Sequence, residues 1–250
     1  MQDLFKSDVP PPLAERMRPR RLDEFVGQED IVGEGKILRR ILEKGSLDSS
    51  LIFWGPPGCG KTTLARLIAG AVDAHFEFFS AVTAGIADVK RVAADAVSRL
   101  NLNGRKTILF VDEIHRFNKA QQDAFLPFIE NGAIVLIGAT TENPSFEVIA
   151  PLLSRCRVFI LKPLGEVEIA RVVTRALADA EIGFGESEIA ISDEDVRYIA
   201  HLSQGDARTA LNALELAVQS VGRPGGPVVL TRAIIEEAAQ KKTILYDKQG

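Results

Sequence analysis

The 250-residue sequence contains few of the residues that disulfide and metal chemistry require. It has two cysteines, three histidines, one tryptophan and two tyrosines. Two cysteines in unrelated contexts indicate a reducing compartment rather than a disulfide framework, and three histidines argue against a histidine-rich metal cluster. The apolar runs fall well short of the roughly 20 residues that a membrane helix needs. The amino terminus also lacks the apolar core of a secretory signal. We therefore expect no membrane partner.

An excess of positive charge is also missing. The net charge is −4 and the sequence pI is about 5.6, which excludes a histone-like, wholly basic nucleic-acid binder but allows a local basic patch. Hydrophobic residues make up 46% and charged residues 26% of the chain. This balance is that of a globular protein of one or two domains, long enough to bury a large core without disulfides.

Short apolar runs alternate with amphipathic segments up to Pro163. The runs, which we predict as strands, are 51–54, 76–79, 107–111, 133–139 and 157–161, and the predicted helices between them include 86–100 and 118–129. Strands that are apolar throughout are typical of a parallel sheet covered by helices on both faces. After Pro163 only helical periodicity follows. The sequence thus predicts an α/β unit and then a small all-helical unit.

A glycine-rich loop between the first predicted strand and the next helix is the most specific motif. It matches G-x-x-x-x-G-K-[ST] in the strand–loop–helix context that this motif requires. Its backbone N–H groups and the helix dipole favour an anion, Lys61 adds a point charge for the β- and γ-phosphates, and the Thr62 hydroxyl can ligate Mg²⁺. The candidate nucleotide-binding residues are Gly55, Pro56, Pro57, Gly58, Cys59, Gly60, Lys61, Thr62 and Thr63. Cys59 is either a small side chain without redox role or a reactive thiol at a helix start.

Two acids follow the apolar run 107–111 and complete the pattern of a nucleoside-triphosphatase site. Asp112 would hold the metal ion and Glu113 would polarise the attacking water as a general base. Taken alone, two acids after a strand are ordinary loop residues; the phosphate loop about 50 residues upstream gives them this meaning. His115 and Arg116 follow, and either coupling to DNA or a neighbour, or a packing role, fits them equally.

Together these motifs resemble those of AAA+ ATPases, and the resemblance extends to four further places. Thr140–Thr141 stands at sensor 1, where we favour Thr141 as the residue that contacts the γ-phosphate or water. Ser154-Arg155-Cys156 resembles a clamp-loader segment whose arginine enters the neighbouring subunit's site as an arginine finger. Gly205-Asp206-Ala207-Arg208 resembles sensor 2, which implies that Arg208 touches the γ-phosphate. In the segment 16–28, Val26 and Gly27 stand where such proteins contact adenine.

Two longer segments narrow the resemblance. DEIHRFNKAQQDAFLPFIE (112–130) and GATTENPSFEV (138–148) are similar to the bacterial replication-associated recombination protein A family, RarA or MgsA. The resemblance implies a DNA-stimulated ATPase at stalled replication forks that uses ATP and Mg²⁺. It also implies single-stranded, forked or duplex-end DNA and single-strand-binding protein as partners, and a cytoplasmic, nucleoid-associated location in a bacterium. Ser80 stands where related ATPases keep a polar residue that restrains the catalytic glutamate.

The resemblance also implies a domain organisation. We expect a flexible, proline-rich leader at 1–15, an AAA+ α/β nucleotide-binding domain at 16–163, a helical lid domain at 164–241, and at 242–250 the start of a further region. Members of the family form tetramers through that further region, so we expect this chain to stop at its edge and to oligomerise weakly. The leader residues from Gln2 to Phe5 resemble a peptide that binds the bacterial sliding clamp, although a disordered tail is the alternative.

Other functions remain compatible with these motifs. ATP binding could serve as a gate for a scaffold that assembles subunits and recruits partners, with slow hydrolysis only as a timer. A clamp-loader-like ATPase or a branch-migration motor would carry a similar site. The intact Glu113 favours a hydrolysing enzyme, and the segment after Asp112 favours the recombination family over the clamp loaders.

Overall fold

The computed structural model describes residues 10–81, 85–221 and 226–240. These residues form two compact units. One unit comprises Pro19–Pro163, and the other comprises the described residues up to Arg18 together with those from Leu164 onward. The chain passes between the units at Pro163–Leu164, where the hydrophobic pattern changes from alternating strands and helices to helices.

A parallel sheet is the centre of the α/β unit. Its strands are β1 (Ser50–Trp54), β2 (His75–Ser80), β3 (Thr107–Asp112), β4 (Ile134–Thr140) and β5 (Cys156–Ile160). Among the described residues these five strands pair in the order β2-β3-β4-β1-β5, and every pairing is parallel. The predicted fold class, a parallel P-loop sheet flanked by helices, is confirmed.

Strand β3 shows why the predicted strands are apolar throughout. Ile108 and Phe110 pack in one hydrophobic cluster with the helix that follows β1, whereas Leu109 and Val111 pack in a second cluster with the helix that precedes β3. Successive side chains of a strand point to opposite faces, so a sheet with a core on each face needs apolar residues at every position.

The helices connect the strands and form the second unit. In chain order they are α1 (Leu13–Arg16), α2 (Glu29–Val32), α3 (Ile37–Lys44), α4 (Lys61–Ala71), α5 (Ile86–Asn103), α6 (Lys119–Asp123), α7 (Leu126–Glu130), α8 (Pro144–Glu147), α9 (Ala150–Leu153), α10 (Glu166–Ala178), α11 (Asp193–Leu202), α12 (Ala207–Val221) and α13 (Arg232–Gln240). Single turns of 3₁₀-helix lie at Leu22–Glu24 and Ile114–Arg116. Within the described ranges, no helix has the length and apolar character needed to cross a membrane.

The single helix predicted over 118–129 is wrong, because the segment forms two short helices, α6 and α7. Asn118 begins α6 with a capping box: the Asn118 side chain accepts from the Gln121 N–H, and the Gln121 side chain accepts from the Asn118 N–H. Pro127 lacks the N–H that would bond the carbonyl of Asp123 in a continuous helix. The break therefore follows from the proline inside an otherwise helical pattern.

The helical unit includes residues before the α/β unit as well as those after it. Leu13 of α1 is fully buried in the cluster formed by α10–α13, and its N–H donates to the Glu215 carboxylate at 3.0 Å. Arg16 donates to the Ile182 carbonyl at 2.7 Å. Residues 13–15 thus differ from the flexible leader that the prolines predicted, while residues 1–9 lie outside the described part of the chain. The unit also contains a two-residue strand pair, β6 (Ile189–Ala190) with β7 (Val228–Val229), that the sequence did not indicate.

A buried glutamine holds α6 to the segment after β4. The Gln122 side chain is 1% exposed. It donates to the carbonyls of Phe117 and Glu147 at 3.0 and 2.9 Å and accepts from the N–H of Ile149 at 2.9 Å. The bond to Phe117 is buried and the other two are partly buried, so Gln122 joins the backbone before α6 to that at the end of α8.

We expect Gln122→Met to lower the free energy of unfolding by about 3 kcal/mol. The substitution keeps the volume of the side chain but removes its hydrogen bonds to two carbonyls and one N–H. Urea unfolding followed by circular dichroism measures this change. Gln219→Met, at an exposed helical position, is the control and should change stability by less than about 0.5 kcal/mol. Equal stability of the two variants would contradict the role given to Gln122.

Candidate functional site

The phosphate loop lies between the end of β1 and the start of α4, as the motif requires. Gly58 and Gly60 have φ values of +67° and +104°, a region that suits glycine. A Cβ at Gly60 would also lie 2.8 Å from the ring of Phe25. Gly60 immediately precedes α4 and has no side chain to cap it, so the N–H groups of the first helical turn can face a ligand.

Lys61 is the first residue of α4 and is only 7% exposed. Its Nζ donates to the carbonyls of Gly55 and Pro56 at 2.7 and 2.8 Å. The loop therefore folds around a largely desolvated ammonium group beside a helix amino terminus. Both features favour an anion, so the residues present fit a nucleotide phosphate. Thr62 is half-buried and Thr63 is buried in the next positions of the helix.

The acidic pair lies at the same edge of the sheet as the loop. Asp112 ends β3 and Glu113 follows with φ +54° and ψ +47°, an unusual conformation for a residue other than glycine. β3 pairs with β4 and β4 with β1, and all three are parallel, so their carboxyl ends meet at one edge. This edge is where open α/β sheets bind ligands. The sheet thus brings Asp112, Glu113 and the phosphate loop together.

The two threonines at the end of β4 differ in their surroundings. Thr140 is fully buried, and its Oγ1 lies 2.9 Å from His115 Nδ1 and accepts from the Glu142 N–H at 3.0 Å. Thr141, the residue favoured as sensor 1, is half-exposed just beyond the strand. The position of Thr141 at the ligand-binding edge suits the predicted role, which stays a prediction.

His115 and Glu113 also contact each other. His115 Nε2 lies 3.3 Å from Glu113 Oε2, and the two side chains are 15% and 32% exposed. The sequence left two interpretations open for His115: coupling to DNA or a neighbour, and a packing role. The structure favours the packing role, because both ring nitrogens contact groups of this chain.

The amino-terminal segment contacts the phosphate loop through Gln28, which no motif in the sequence marks as a site residue. Gln28 has φ +62°, and its Nε2 donates to the Cys59 carbonyl at 3.3 Å and to the Lys162 carbonyl at 2.7 Å, while its Oε1 accepts from the Lys162 N–H at 3.0 Å. Gln28 therefore joins this segment, the loop and the residues just after β5.

A hydrogen bond from Lys162 lowers the pKa of the Asp30 carboxyl, which lies in the same amino-terminal segment. Val26 is half-buried and Gly27 is buried, with φ +78°.

Arg155 lies at the opposite edge of the sheet from the phosphate loop. It immediately precedes β5, whose first residue Cys156 pairs with Ser50 at the start of β1, whereas the loop follows the end of β1. At about 3.3 Å per residue, roughly 16 Å of strand separates the two edges. Arg155 donates to the Pro151 carbonyl at 2.6 Å and to Glu130 Oε1 at 2.5 Å. This chain's own fold does not bring Arg155 to its phosphate loop.

Arg208 belongs to the helical unit, where it is the second residue of α12 and is exposed. The helix begins with a firm cap, since Asp206 accepts from the Thr209 N–H at 3.0 Å and from its hydroxyl at 2.9 Å. The cap fixes the backbone next to Arg208, and its assignment as sensor 2 stays a prediction.

Neither cysteine has the environment of a reactive thiol. Cys59 is 1% exposed and packs in the cluster of α4 and the sheet, which supports the interpretation of a small side chain without redox role. Burial raises the pKa of the Cys156 thiol to about 12. Thiolate formation at Cys156 is therefore suppressed at neutral pH.

Comparison with known proteins agrees with this geometry. Residues 51–164 match the family model described as ATPase family associated with various cellular activities (AAA), and residues 185–250 match that of the AAA C-terminal domain. A solved structure of the Thermotoga maritima RuvB Holliday junction branch migration motor superposes with a TM-score of 0.70 at 28% identity, covering 90% of this chain and 73% of the other. These findings define the class: the protein is a P-loop ATPase of the AAA type.

Individual relatives define the family. Replication-associated recombination protein A from Haemophilus influenzae is 47% identical over 96% of this chain and 53% of its own length. The protein of the same name from Escherichia coli K12 is 48% identical over 98% of this chain and 55% of its own length. The chain belongs to the replication-associated recombination protein A family, and it spans about half the length of these relatives.

Proposed function

We propose that this chain binds ATP with Mg²⁺ at the carboxyl edge of its sheet and hydrolyses the bond between the β- and γ-phosphates. The observation that carries the proposal is the convergence at that edge of the phosphate loop, Asp112–Glu113 and Thr140–Thr141, which follow or end three adjacent strands. Lys61 and the N–H groups of 58–62 would hold the phosphates, because they form a positive, anion-binding concavity.

The remaining residues at this edge have separate roles in the proposed reaction. Glu113 would accept a proton from the attacking water, and the Thr141 hydroxyl would contact that water or the γ-phosphate. When bound, Mg²⁺ would neutralise charge on the phosphate oxygens, with Thr62 and Asp112 as its protein ligands. Val26 and Gly27 would contact adenine, since their segment is joined to the loop through Gln28.

Replication-associated recombination and repair at stalled forks is the biological role we propose for this ATPase. The name shared by the Haemophilus influenzae and Escherichia coli relatives supports this role. We propose that single-stranded, forked or duplex-end DNA binds the protein and stimulates its ATP turnover. A branch-migration motor is the second candidate, which the likeness to the Thermotoga maritima motor favours.

Steady-state ATP hydrolysis by the purified chain, over a series of protein concentrations, tests the proposal. We expect turnover that increases with single-stranded or forked DNA and rises more than linearly with protein concentration. A rate of hydrolysis that is the same with and without each of these DNAs would contradict the proposed role. No hydrolysis at any protein concentration would contradict the proposed ATPase activity. Unwinding or displacement of a four-way junction, in place of action at forks, would favour the second candidate.

Further proposed partners are single-strand-binding protein and the sliding clamp, with the protein located in the cytoplasm and associated with the nucleoid. The clamp-binding residues Gln2–Phe5 lie outside the described residues. A clamp pulldown that is lost with Leu4→Ala plus Phe5→Ala would support the clamp contact, and an unchanged pulldown would remove it.

We also propose that Arg155 acts in the site of a neighbouring copy. Its place at the amino edge of the sheet supports action between copies, because it lies a strand length from the loop of its own chain. An arginine supplied to a neighbour's γ-phosphate would neutralise charge that develops in the transition state.

Arg155→Ala should therefore lower kcat by about 100-fold or more while leaving ATP affinity within about threefold, because the arginine is needed mainly in the transition state. Single-turnover hydrolysis and ATP titration on assembled protein measure the two quantities. Arg157→Ala, at an exposed position two residues along β5, is the matched control. Unchanged turnover in assembled Arg155→Ala protein would refute the assignment.

A further inference from the structure

The imidazole of His115 connects the glutamate that would activate water to the strand that ends in Thr140. Nε2 lies 3.3 Å from Glu113 Oε2 and Nδ1 lies 2.9 Å from Thr140 Oγ1. The His115 side chain is 15% exposed and Thr140 is fully buried. A histidine with both nitrogens engaged in this way has a fixed ring orientation.

The backbone around His115 is fixed as well. The 3₁₀ turn of Ile114–Arg116 is closed by the bond from the Arg116 N–H to the Glu113 carbonyl at 2.9 Å and anchored by Ile114, which is fully buried. Glu113 enters this turn in a left-handed conformation. Such a conformation in a residue other than glycine costs about 1 kcal/mol or more and persists where the surroundings hold it. The turn therefore sets the direction of the Glu113 side chain.

Hydrogen-bond counting shows which ring hydrogens the bridge requires. Thr140 Oγ1 accepts from the Glu142 N–H at 3.0 Å, and its single hydrogen faces two acceptors, His115 Nδ1 at 2.9 Å and the Glu142 carbonyl at 3.2 Å. When the hydroxyl donates to Nδ1, the hydrogen of the ring lies on Nε2 and faces the Glu113 carboxylate, whose Oε2 is 3.3 Å away. When the hydroxyl donates to the Glu142 carbonyl instead, Nδ1 donates to Oγ1. In either arrangement the contact with the Glu113 carboxylate requires a hydrogen on Nε2.

We propose that His115 is a positioning residue that orients the Glu113 carboxylate and couples it, through the Thr140 hydroxyl, to the Thr141 end of β4. The proposal deepens the function proposed above, since it rests on Glu113 activating the water. The sequence pointed to Ser80 for control of this glutamate, which stays a prediction. Among the described residues, the structure places the His115 side chain in contact with Glu113. A shift of β4 at Thr141 would reach Glu113 through the hydrogen bond between Thr140 and His115 and the 3.3 Å contact between His115 and Glu113.

The kinetic test uses two substitutions that each keep one half of the bridge. The amide nitrogen of a glutamine takes the place of Nε2 and that of an asparagine the place of Nδ1, so His115→Gln retains a donor to Glu113 and His115→Asn does not. We expect kcat to fall about tenfold in His115→Asn and His115→Ala, but by no more than about threefold in His115→Gln, with KM within about twofold.

Thr140→Val removes the hydroxyl at nearly constant shape and should lower kcat about threefold to fivefold. Combined with His115→Ala, it should add no further loss, because both changes break the same bridge. His75→Gln, at the start of β2 and in contact with Glu77, is the control and should keep the original kcat. Equal losses in His115→Gln and His115→Asn, or full additivity with Thr140→Val, would overturn the proposal.

The imidazole resonances give a readout that does not depend on turnover. The chain has three histidines, and His75 and His201 contact Glu77 and Glu166 respectively. In ¹⁵N-edited NMR spectra, Glu113→Gln and Thr140→Val should each shift the His115 signals and leave the other two in place. The His115 spectrum should also show hydrogen on Nε2.

The two failures are distinguishable. Absence of ATP turnover in the unsubstituted chain would defeat the proposed function, and the spectra would still decide whether the bridge exists. Turnover in the unsubstituted chain with undiminished kcat in His115→Asn would defeat the role of His115 alone. Unmoved His115 signals in both variants would refute the contacts themselves.

Discussion

Replacing Lys61 with alanine is expected to weaken ATP binding by at least 100-fold, a loss of about 2.8 kcal/mol or more at 1.4 kcal/mol per factor of ten. Lys61 is 7% exposed and held by two loop carbonyls, so its ammonium is a poorly solvated charge inside the loop. A phosphate oxygen that meets this charge gains a strong, charge-assisted hydrogen bond. Alanine supplies neither the charge nor the donor.

Titration with a fluorescent ATP analogue measures this loss, and thermal unfolding shows whether the loop has survived. Lys119→Ala, at an exposed position at the start of α6, is the matched control and should bind as the original chain does. ATP affinity within about fivefold of the original in a folded Lys61→Ala protein would mean that the nucleotide does not bind at this loop.

Glu113→Gln is expected to give the opposite result, with ATP affinity retained and kcat lowered by about 100-fold to 1,000-fold. The amide keeps the shape of the side chain but does not accept the proton of the attacking water, and general-base catalysis contributes about 10² to 10⁴ in rate. Because the phosphates are held by the loop and not by Glu113, binding does not depend on this residue. A radioactive single-turnover assay with bound ATP measures the step.

Glu147→Gln, an exposed acid in α8, is the control for the loss of one negative charge and should retain the original kcat. A Glu113→Gln protein that hydrolyses ATP normally would exclude Glu113 as the base. A variant that binds ATP, fails to hydrolyse it and still performs the full cellular function would instead favour the nucleotide-gated scaffold over the motor.

Motifs formed by consecutive residues could be predicted from the sequence. The phosphate loop and Asp112–Glu113 are each formed by a few consecutive residues, and the apolar runs that precede them identify the strands. Parallel pairing then places the ends of β1, β3 and β4 together, as the sheet confirms. The fold class and the edge of the sheet that carries the candidate site therefore follow from local patterns alone.

Contacts between residues distant in the chain left no such pattern. Gln28 reaches Lys162 across 134 positions and Gln122 reaches Ile149 across 27, and neither is marked by periodicity or a short motif. A single proline was enough to divide the predicted helix 118–129, and the proline run before Leu13 concealed a residue that is fully buried. Side-chain hydrogen bonds to distant backbone groups required the structure.

Arg155 and the phosphate loop lie at opposite ends of the strands of one sheet. Each copy of the chain therefore carries the arginine on one surface and the nucleotide site on another. If Arg155 serves a neighbour, the contact is head-to-tail, because the two surfaces that meet are different. Such contacts close into rings or continue as open arrays, and an isologous two-fold dimer does not satisfy them. In an open array one terminal nucleotide lacks its arginine and one terminal arginine lacks a nucleotide. In a closed ring every nucleotide site would have a neighbour's arginine. Ring closure would then be the assembly step at which every site becomes able to hydrolyse ATP.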